Sequence, residues 1–492
     1  MTTPVPDSRA ALAGRPGQPR PAVLAAALAL ALLAAACAPI PTLPQAQPEL
    51  PPQALGLPDG GTSAPQSRWW QGYQDAQLDA LIERALAQSP SLALARARVA
   101  KAEALVGHAE AADRPTFGLG VDAMRQRYPE HGLYPPPIAG SVRTTATVQL
   151  GLNYEWDFFG RHEAALQSAL GTKRMAEAEA ESARQGLATG LARGYMALAR
   201  NLAQQDLARQ QIALREQSLQ LIRQRSQAGL DDAQALRQAE APVPELQRQL
   251  LALQDQAALL RRQLAALSGQ GPDALKDLQA RLPAALAWQG EPTLDLLGRR
   301  PDLASARARV EATAQDVRAA RALFYPSVNI SAFAGFSSIG FDQLFKSGSH
   351  QLGVGPALRL PLFDTGRLRA QLRGSAAEQD AAVALYNATL LDAAREAADF
   401  YGSLRALQAQ QQAQQQLLAN AQAQLQLAHS REQAGLANQL LPLQARQQQL
   451  LQQRQMLDLQ AQSLDTQILL IRALGGGLDA ATGPNTDPAR RG

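Results

Sequence analysis

The spacing of apolar residues predicts long helices in both halves of the chain. Along residues 386–428, apolar or small residues recur at intervals that alternate between four and three, and Gln411 and Gln414 occupy two positions of this repeat. A strict seven-residue repeat predicts helices that supercoil against their neighbours. A similarly uninterrupted helical pattern covers residues 161–228, which corresponds to roughly 100 Å at a rise of 1.5 Å per residue.

Each long helical pattern ends at a glycine and then resumes. Gly229 and Gly435 stand within matching Ala-Gly-Leu triplets, as expected of the glycine that follows the last turn of a helix. The returning helices are predicted over residues 232–268 and 438–474. They are too short to match the long helices by themselves.

Another helix is predicted ahead of the strands in each half, over residues 75–112 and 292–323. Pro115 and Pro326 follow these helices, and proline disfavours helix continuation. The length of 292–323 added to that of one returning helix nearly equals the length of a long helix. We therefore expect two short helices to stack end to end beside each long one, with residues 269–291 at their junction.

Residues that alternate between apolar and polar predict two β-strands in each half. On the run that ends at Trp156, one face is apolar and the other carries threonine, glutamine, glycine and asparagine. Each run is near ten residues, the length that a tilted strand needs to cross a bilayer. The segments at about 126–143 and 337–349 connect the strands. Four strands are too few to close in a membrane, so we expect other copies to complete them; two copies would supply eight strands and three would supply twelve.

The chain contains one structural unit twice. Residues 89–99 resemble residues 300–310 at an offset of 211, and the two Ala-Gly-Leu triplets match at an offset of 206. A single change of offset indicates that one surface loop differs in length between the halves. We therefore assign a first repeat to residues 69–290, a second to 291–477 and a disordered tail to 478–492.

The N-terminus has the features of a secretory signal. Arginines precede the uncharged run of residues 22–38, which ends in small residues. Cys37 is the only cysteine, and Leu33-Ala34-Ala35-Ala36-Cys37 resembles a bacterial lipobox, in which the cysteine is acylated and becomes the first mature residue. We expect residues 1–36 to be a lipoprotein signal peptide, with a retained membrane anchor as the alternative, and residues 37–68 to be a lipidated, flexible, proline-rich tether.

Composition restricts the chemistry that the chain can perform. Hydrophobic residues make up 46% of the chain but aromatic residues only 4%, so alanine and leucine dominate, as in long helices. A single cysteine excludes disulfides within the chain, and the five histidines lack zinc-binding spacing. The 47 lysines and arginines nearly balance the 43 acidic residues and are scattered, which disfavours nucleic-acid binding. No phosphate-binding loop or nucleophile motif occurs, so we expect no enzyme activity, no metal and no cofactor.

Several short motifs occur in a fixed order along the chain. They are Trp69-Trp70-Gln71-Gly72-Tyr73-Gln74-Asp75, Trp156-Asp157-Phe158-Phe159-Gly160-Arg161, Leu360-Pro361-Leu362-Phe363-Asp364-Thr365-Gly366-Arg367 and Leu474-Gly475-Gly476-Gly477. Together with the duplication, this set resembles the outer-membrane efflux factor family, in its TolC-like, NodT-type lipoprotein branch. The resemblance covers about residues 69–477.

The resemblance implies a mainly α-helical fold with a small membrane β-barrel contribution. It implies a homotrimer in which twelve strands form a barrel in the outer membrane and the long coiled-coil helices form a twelve-helix barrel across the periplasm. It also implies the passive exit duct of a tripartite efflux system. The partners would be a periplasmic adaptor protein, an inner-membrane pump and the lipid of the outer membrane. Drugs and other toxic small molecules are the family's commonest cargo.

The resemblance also places two functional regions in this chain. The turns at Gly229, Leu230, Gly435 and Leu436 are expected to form the periplasmic tip, where the adaptor docks. The closed gate is expected just beyond these turns, at a group of five residues: Leu440, Gln444, Gln447, Asp231 and Asp232.

The expected gate departs from the family's pattern. Relatives follow an apolar ring with charged residues that lock the gate, whereas Gln444 and Gln447 stand at the corresponding positions of this chain. Arg446 points about 100° away from Gln447 on a helix. We therefore predict closure by apolar contact at Leu440 and by neutral glutamine hydrogen bonds. The alternative is that Leu440 is an ordinary residue of the coiled-coil seam.

Two other functions stay open from the sequence. A periplasmic coiled-coil scaffold or adaptor lipoprotein would share the signal peptide and the seven-residue repeat, but it would not need the amphipathic strands. An exit duct could also serve metal ions or secreted polypeptides instead of drugs, because a conduit takes its specificity from its pump.

Overall fold

The structure is a computed structural model that describes residues 40–43, 47–51, 66–286, 291, 293 and 297–476. The chain divides into two units. The first unit contains the strands together with the helix ends that adjoin them, within residues 110–165 and 316–376. The second contains the other helical segments, within residues 45–109, 166–315 and from 377 onward.

The first repeat contains two helix interruptions that the sequence analysis did not predict. Its described helices are α1 (Ala76–Gln88), α2 (Pro90–Ala112), α3 (Arg161–Gln227), α4 (Ala233–Glu240) and α5 (Pro242–Leu267). The predicted single helix over 75–112 is wrong, because Ser89 is extended, with a ψ of 127°, as a residue before proline prefers. The returning helix is likewise divided at Ala241, before a proline that lacks a backbone N–H.

The second repeat has fewer interruptions. Its described helices are α6 (Pro301–Ala322), α7 (Thr365–Gln433) and α8 (Leu440–Ala473). The predicted start of α6 at residue 292 is wrong, because residues 298–300 are not helical; residues 292 and 294–296 lie outside the described residues. The predicted long helices are confirmed, with 67 residues in α3 and 69 in α7. Among the described residues, no helix has the length and apolar character needed to cross a membrane.

The strands form one antiparallel sheet in the order β1-β2-β3-β4. They are β1 (Thr116–Arg127), β2 (Val142–Trp156), β3 (Ser327–Ile339) and β4 (His350–Arg359). The predicted alternation sets the register, so that Leu150 lies opposite Leu119 on one side and Ala334 on the other. Hairpin loops 128–141 and 340–349 connect the strands at the end of the sheet opposite the helices.

One face of this sheet, the apolar face, carries nearly all of its large side chains. It consists of Phe117, Leu119, Val121, Ala123, Ala146, Val148, Leu150, Leu152, Tyr154, Trp156, Val328, Ile330, Ala332, Ala334, Phe336, Leu352, Val354 and Leu358. Many of these side chains are open to the surroundings, with Leu119 70% and Leu352 79% exposed. The opposite, polar face carries residues such as Gln149 and Gln351, whose side chains share a hydrogen bond of 3.2 Å.

The expected end-to-end arrangement of short helices is confirmed in both repeats. Gly269 follows α5 with a φ of +72°, and a Cβ atom there would lie 3.2 Å from the carbonyl oxygen of Gln88, beside the start of α2. Gly475 follows α8 with a φ of +91°, and a Cβ atom there would lie 3.0 Å from Cβ of Arg299, just before α6. Glycine is favoured at each junction because its φ is positive and because a Cβ atom would lie tightly against the backbone just before the next helix.

The largest core of the second unit lies where the N-terminal motif packs against helices of both repeats. Trp70 is 1% exposed and packs with residues of α1, α3, α5 and α8. The hydroxyl of Tyr73 donates to Oε1 of Gln467 at 3.2 Å, and Nε2 of Gln467 donates to the Leu286 carbonyl at 2.7 Å. These bonds hold the end of segment 269–286 on this core.

The expected flexible tether is wrong for the part of it that the structure describes. Ile40 and Leu43 pack in a cluster with Phe324 and the first turns of α7. Further along, the Leu50 amide donates to Oδ1 of Asn387 at 2.8 Å, and Leu50 packs beside α7. These apolar side chains find partners on the helices, although proline and glutamine dominate the segment. Cys37 lies outside the described residues.

Candidate docking turns and channel gate

The two turns predicted at the tip have the same backbone geometry. In the first turn (residues 229–232), Gly229 has a φ of +73°, and its amide donates to the Ser226 carbonyl at 3.0 Å. The Leu230 amide then donates to the Arg225 carbonyl at 2.9 Å. Gly435 begins the second turn (residues 435–438) with a φ of +69° and the same pair of bonds. This bonding pattern satisfies the last carbonyls of a helix and favours glycine at the left-handed residue.

Each turn presents one large apolar side chain. Leu230 is 68% exposed and Leu436 is 79% exposed. A single exposed leucine is ordinary on a protein surface. Here the same residue is exposed at the same position of both repeats, so the turns offer two equivalent apolar contacts for a partner.

The two aspartates of the first turn are bound within it. Nε and Nη2 of Arg225 donate to the Asp231 carboxylate at 2.8 and 2.9 Å, a bidentate pair. The hydrogen bond and charge of Arg225 hold the pKa of Asp231 below its usual value. Oδ1 of Asp232 accepts the Ala235 amide at 2.7 Å and caps α4. Both carboxylates therefore stabilise the local turn, and their place in a gate stays a prediction.

The second turn lacks this ion pair. Ala437 stands at the position of Asp231, so Arg431, the match of Arg225, has no acidic partner there. Asn438 replaces Asp232, and its Oδ1 accepts the Leu440 amide at 3.1 Å. The turn keeps its geometry without the ion pair, which indicates that the glycine and its backbone bonds are sufficient.

The residues predicted at the gate lie on the first turns of α8. Leu440 is the first residue of this helix and is half-buried. Gln444 is exposed and Gln447 half-buried, and their spacing of four and three puts all three on one helix face. Pro442 is buried within the first turn, where its missing N–H costs no helical hydrogen bond.

Arg446 is directed away from that face, as the helical geometry predicted. Its Nη1 donates to Oε1 of Gln449 on the same helix, and its Nη2 donates to Oε1 of Gln210 on α3 at 3.4 Å. The arginine nearest to Gln447 is thus engaged at the contact between α8 and α3.

Sequence reasoning missed a ladder of ion pairs between α3 and α8. Nε of Arg193 lies 2.6 Å from Asp465, and Nη2 of Arg200 lies 2.8 Å from Asp458. Both the arginines and the aspartates are seven residues apart, and this spacing was the available signal. Nearer the gate than this ladder, Arg446 of α8 contacts α3 through the uncharged amide of Gln210 and not through a carboxylate.

Two glutamines make the same interhelical hydrogen bond in both repeats. Nε2 of Gln205 donates to the Leu253 carbonyl at 3.2 Å, and Nε2 of Gln411 donates to the Leu459 carbonyl at 3.1 Å. Donor and acceptor are each displaced by the offset of 206. A polar side chain in a helical seam specifies register, so these bonds align each long helix with its returning helix.

The described residues contain no group of three or more histidine, cysteine, aspartate or glutamate side chains arranged to hold a metal ion. Among the described residues, Asp231 and the two aspartates of α8 pair with arginines, Asp232 caps a helix, and Glu432 lies 3.5 Å from His429. The chemistry that remains at the predicted site is exposed apolar surface and neutral amide hydrogen bonding, which suits protein contact and pore lining.

Two long antiparallel helix pairs, together with a four-stranded sheet whose apolar face is exposed, define the class of outer-membrane channel proteins. The chain matches the outer membrane efflux protein family over residues 81–270 and 294–476. It belongs to that family and acts as an efflux channel of the outer membrane. The alternative of a helical scaffold or adaptor is wrong, because such a protein lacks these strands.

Named relatives agree with this assignment. The chain is 32% identical to the multidrug resistance outer membrane protein MdtP of Escherichia coli K12 over 88% of this chain and 91% of that one. It is 34% identical to the fusaric acid resistance protein FusA of Burkholderia cepacia over 65% of this chain and 61% of that one. The crystal structure of the outer membrane protein VceC of Vibrio cholerae superimposes with a TM-score of 0.78 at 37% identity, over 84% of this chain and all of VceC.

Proposed function

We propose that three copies of this chain form the passive exit duct of a tripartite efflux system. The duct receives small toxic molecules from an inner-membrane pump through a periplasmic adaptor and releases them outside the cell. The observation that carries the proposal is the sheet, whose exposed apolar face ends in two edge strands, β1 and β4, that each pair on one side only.

Such a sheet needs partners when it crosses a bilayer. In lipid, an unpaired strand edge leaves backbone N–H and C=O groups without hydrogen bonds, at a cost of several kcal/mol per group. Four strands are fewer than the eight of the smallest closed membrane sheets. Pairing β1 of one copy with β4 of the next removes both edges, and three copies give the twelve strands that the family resemblance implies.

Exposed leucines on the helices support the same assembly. They occur on α2, α5, α7 and α8 within the second unit, at Leu94, Leu105, Leu251, Leu259, Leu385, Leu391, Leu417, Leu427 and Leu451. Helices with the seven-residue repeat bury such residues against neighbouring helices. A ring of copies would cover this surface with helices of the adjacent copy.

The exposed Leu230 and Leu436 support docking of the adaptor at the two turns. Three copies would present six such leucines around one end of the duct. The predicted gate at Leu440 begins a few residues beyond the second turn, so a docked partner could act on it directly. The duct would perform no reaction of its own, and transport energy would come from the pump.

The cargo is proposed from the relatives' names. MdtP is a multidrug resistance protein and FusA a fusaric acid resistance protein. Both names support small toxic molecules over metal ions or polypeptides. Acylation of Cys37 would add a lipid anchor in the outer membrane.

Native mass spectrometry of the detergent-purified protein tests the assembly. We expect the mass of three subunits. A mass of one or two subunits would contradict the proposed duct. In parallel, deletion of the gene should increase accumulation of an efflux dye in cells, and the wild-type gene should restore export. Unchanged accumulation after deletion would contradict the proposed cargo class.

A further inference from the structure

The apolar face of the sheet has a height that can be read from β2. On this strand the uninterrupted apolar positions of the face run from Ala146 to Trp156, which are ten positions apart, and Thr144 interrupts them before Val142. This distance is about 33 Å along the strand, or about 25 Å of height at a tilt of about 40°, which is the apolar band of membrane strands. Trp156 stacks on Phe158 at the end of the sheet that leads into the helices. Aromatic side chains are enriched at the membrane–water interface, so this end of the strands marks one boundary of the apolar band. The other boundary of the band therefore lies near Ala146 and its β1 partner, Ala123.

Two arginines continue the apolar face directly beyond that boundary. Arg125 follows Ala123 by two positions and pairs with Thr144, and Arg127 follows by two more and pairs with Val142. Residues two apart on a strand share a face, so both arginines project from the side that carries Leu119 and Val121. Both are exposed. Arg125 lies roughly 5 Å above the apolar band, which is the level of lipid headgroups.

The charge at this level is positive. Nη2 of Arg127 lies 3.6 Å from Oε1 of Glu130, and both side chains are largely exposed, so this contact is weak. Arg125 forms no ion pair within the described part of the chain. Arg143 lies at the same height but on the opposite face, where it pairs with Gln126 and its Nε donates to Ser141 Oγ at 3.1 Å.

We infer that Arg125 and Arg127 bind the phosphate groups of lipid headgroups in the leaflet that surrounds the hairpin-loop end of the strands. The planar guanidinium group binds phosphate oxygens in pairs. Its apolar stem lies along the lipid-facing surface while the charge reaches the headgroups. The two arginines thus fix the depth of the hairpin-loop end of the sheet in the membrane, and Trp156 and Phe158 fix the depth of the opposite end. The identity of the leaflet rests on the proposed function, in which the hairpin loops face the outside.

Binding of phosphorylated lipid to the full-length protein in detergent tests this inference. The probe is diphosphoryl lipid A in micelles, compared with the same lipid after removal of its phosphates. The wild type should bind the phosphorylated form more tightly. The double variant Arg125→Gln/Arg127→Gln should weaken that binding about twenty-fivefold, about fivefold for each arginine, and should keep the native mass of the wild type.

Arg143→Gln is the matched control, because it removes the same charge at the same height from the other face. It should weaken binding by less than about twofold. Equal losses in Arg143→Gln and in the double variant would overturn the inference, as would unchanged binding in the double variant. Competition by millimolar inorganic phosphate alone, to the full extent of the lipid signal, would assign the arginines to free phosphate instead and would also overturn it.

The orientation of the sheet is tested separately. Leu133 is fully exposed in the first hairpin loop, and Leu133→Cys should react with a membrane-impermeant maleimide on intact cells. The lipid-binding measurement in detergent does not depend on orientation. A failure of labelling would therefore count against the proposed duct, whereas a failure of lipid binding would count against the arginine site alone.

Discussion

At the scale of single residues, the charged side chains around the expected gate are engaged with partners other than Leu440, Gln444 and Gln447. The charged groups closest to it are already engaged: Asp231 with Arg225, Asp232 with the end of α4, and Arg446 with two glutamines. Within the described part of the chain, no charged side chain is hydrogen-bonded to Gln444. A gate formed by apolar contact is little screened by salt, whereas exposed ion pairs are weakened by it.

Leu440→Ala should raise single-channel conductance in planar bilayers, because it removes apolar volume at the expected constriction. The matched control is Leu441→Ala, which removes the same volume about 100° around the helix and should change conductance much less. Asp231→Asn and Asp232→Asn should also leave conductance nearly unchanged. An open pore in either aspartate variant, with Leu440→Ala unchanged, would mean that the gate is electrostatic.

Asp79 provides a pH-dependent test of the core beneath the N-terminal motif. Its Oδ1 is buried without a hydrogen-bond partner among the described residues. Burial, followed by the charges of Asp75 and Glu83, raises the pKa of Asp79. Because the folded-state pKa lies above the unfolded value, the ionised carboxylate destabilises the fold at neutral pH. That cost disappears as the pH falls through the folded pKa towards about 3.9.

Asp79→Asn should therefore raise the melting temperature at pH 7 by roughly one degree, and the gain should vanish near pH 4. The exposed carboxylate of Glu110 on α2 supplies the control, since Glu110→Gln should have little effect at either pH. Differential scanning calorimetry of the detergent-solubilised protein measures both. A gain that persists unchanged at pH 4 would show that ionisation of Asp79 is not its cause.

At the scale of elements, each long helix is joined to its returning helix by a glycine turn and a glutamine side chain that hydrogen-bonds across the seam. The glycine accepts a left-handed conformation that would cost an L-residue about 1–2 kcal/mol. The glutamine bonds from Gln205 to Leu253 and from Gln411 to Leu459 then set which turns of the two helices face each other. Together they determine where the exposed leucines of the two turns are presented.

Gly229→Val and Gly435→Val should reduce export strongly while the native mass of the assembly stays unchanged. The reason is that a β-branched residue at a φ near +70° shifts the turn and displaces Leu230 or Leu436. Gly402→Val is the control, because Gly402 lies within α7 and a Cβ atom there would meet no atom of another helix or strand within 4 Å. Export that survives both turn substitutions would show that these turns are not the docking surface.

At the scale of the whole molecule, we expect the membrane anchoring of the protein to be divided between an acyl chain on Cys37 and the sheet. A single acylated residue gives marginal membrane affinity, whereas the apolar face of the strands buries a large area in the bilayer. The described part of residues 40–51 lies along α7.

Cys37→Ser should remove the acyl modification detected by mass spectrometry and should still allow part of the protein to reach the outer membrane. The fraction there is measured by density-gradient separation of the membranes. Full retention at the inner membrane would indicate that the lipid, and not the sheet, directs localisation. An unmodified Cys37 on the mature wild-type protein would remove the basis for this prediction.

The sequence by itself determined the features that depend on neighbouring residues. The seven-residue spacing set the lengths of α3 and α7, and Gly229 and Gly435 marked their ends. The period-two alternation assigned Leu150 to the apolar face. These features were predictable because helix and strand periodicity and glycine conformation act over a few residues. The extra interruptions at Ser89 and Ala241 were also local, but the apolar pattern continued across the prolines and concealed them.

Only the tertiary structure decided which distant residues meet. The sequence showed Gln411 in a seam but not its acceptor on Leu459, and it showed Arg193 and Asp465 but not their pairing. The hydrogen bond between the Leu50 amide and Asn387 could likewise not be predicted from the spacing of apolar residues. A periodic pattern defines the face that a helix or strand buries, whereas the partner on that face depends on how segments hundreds of residues apart approach each other in the fold.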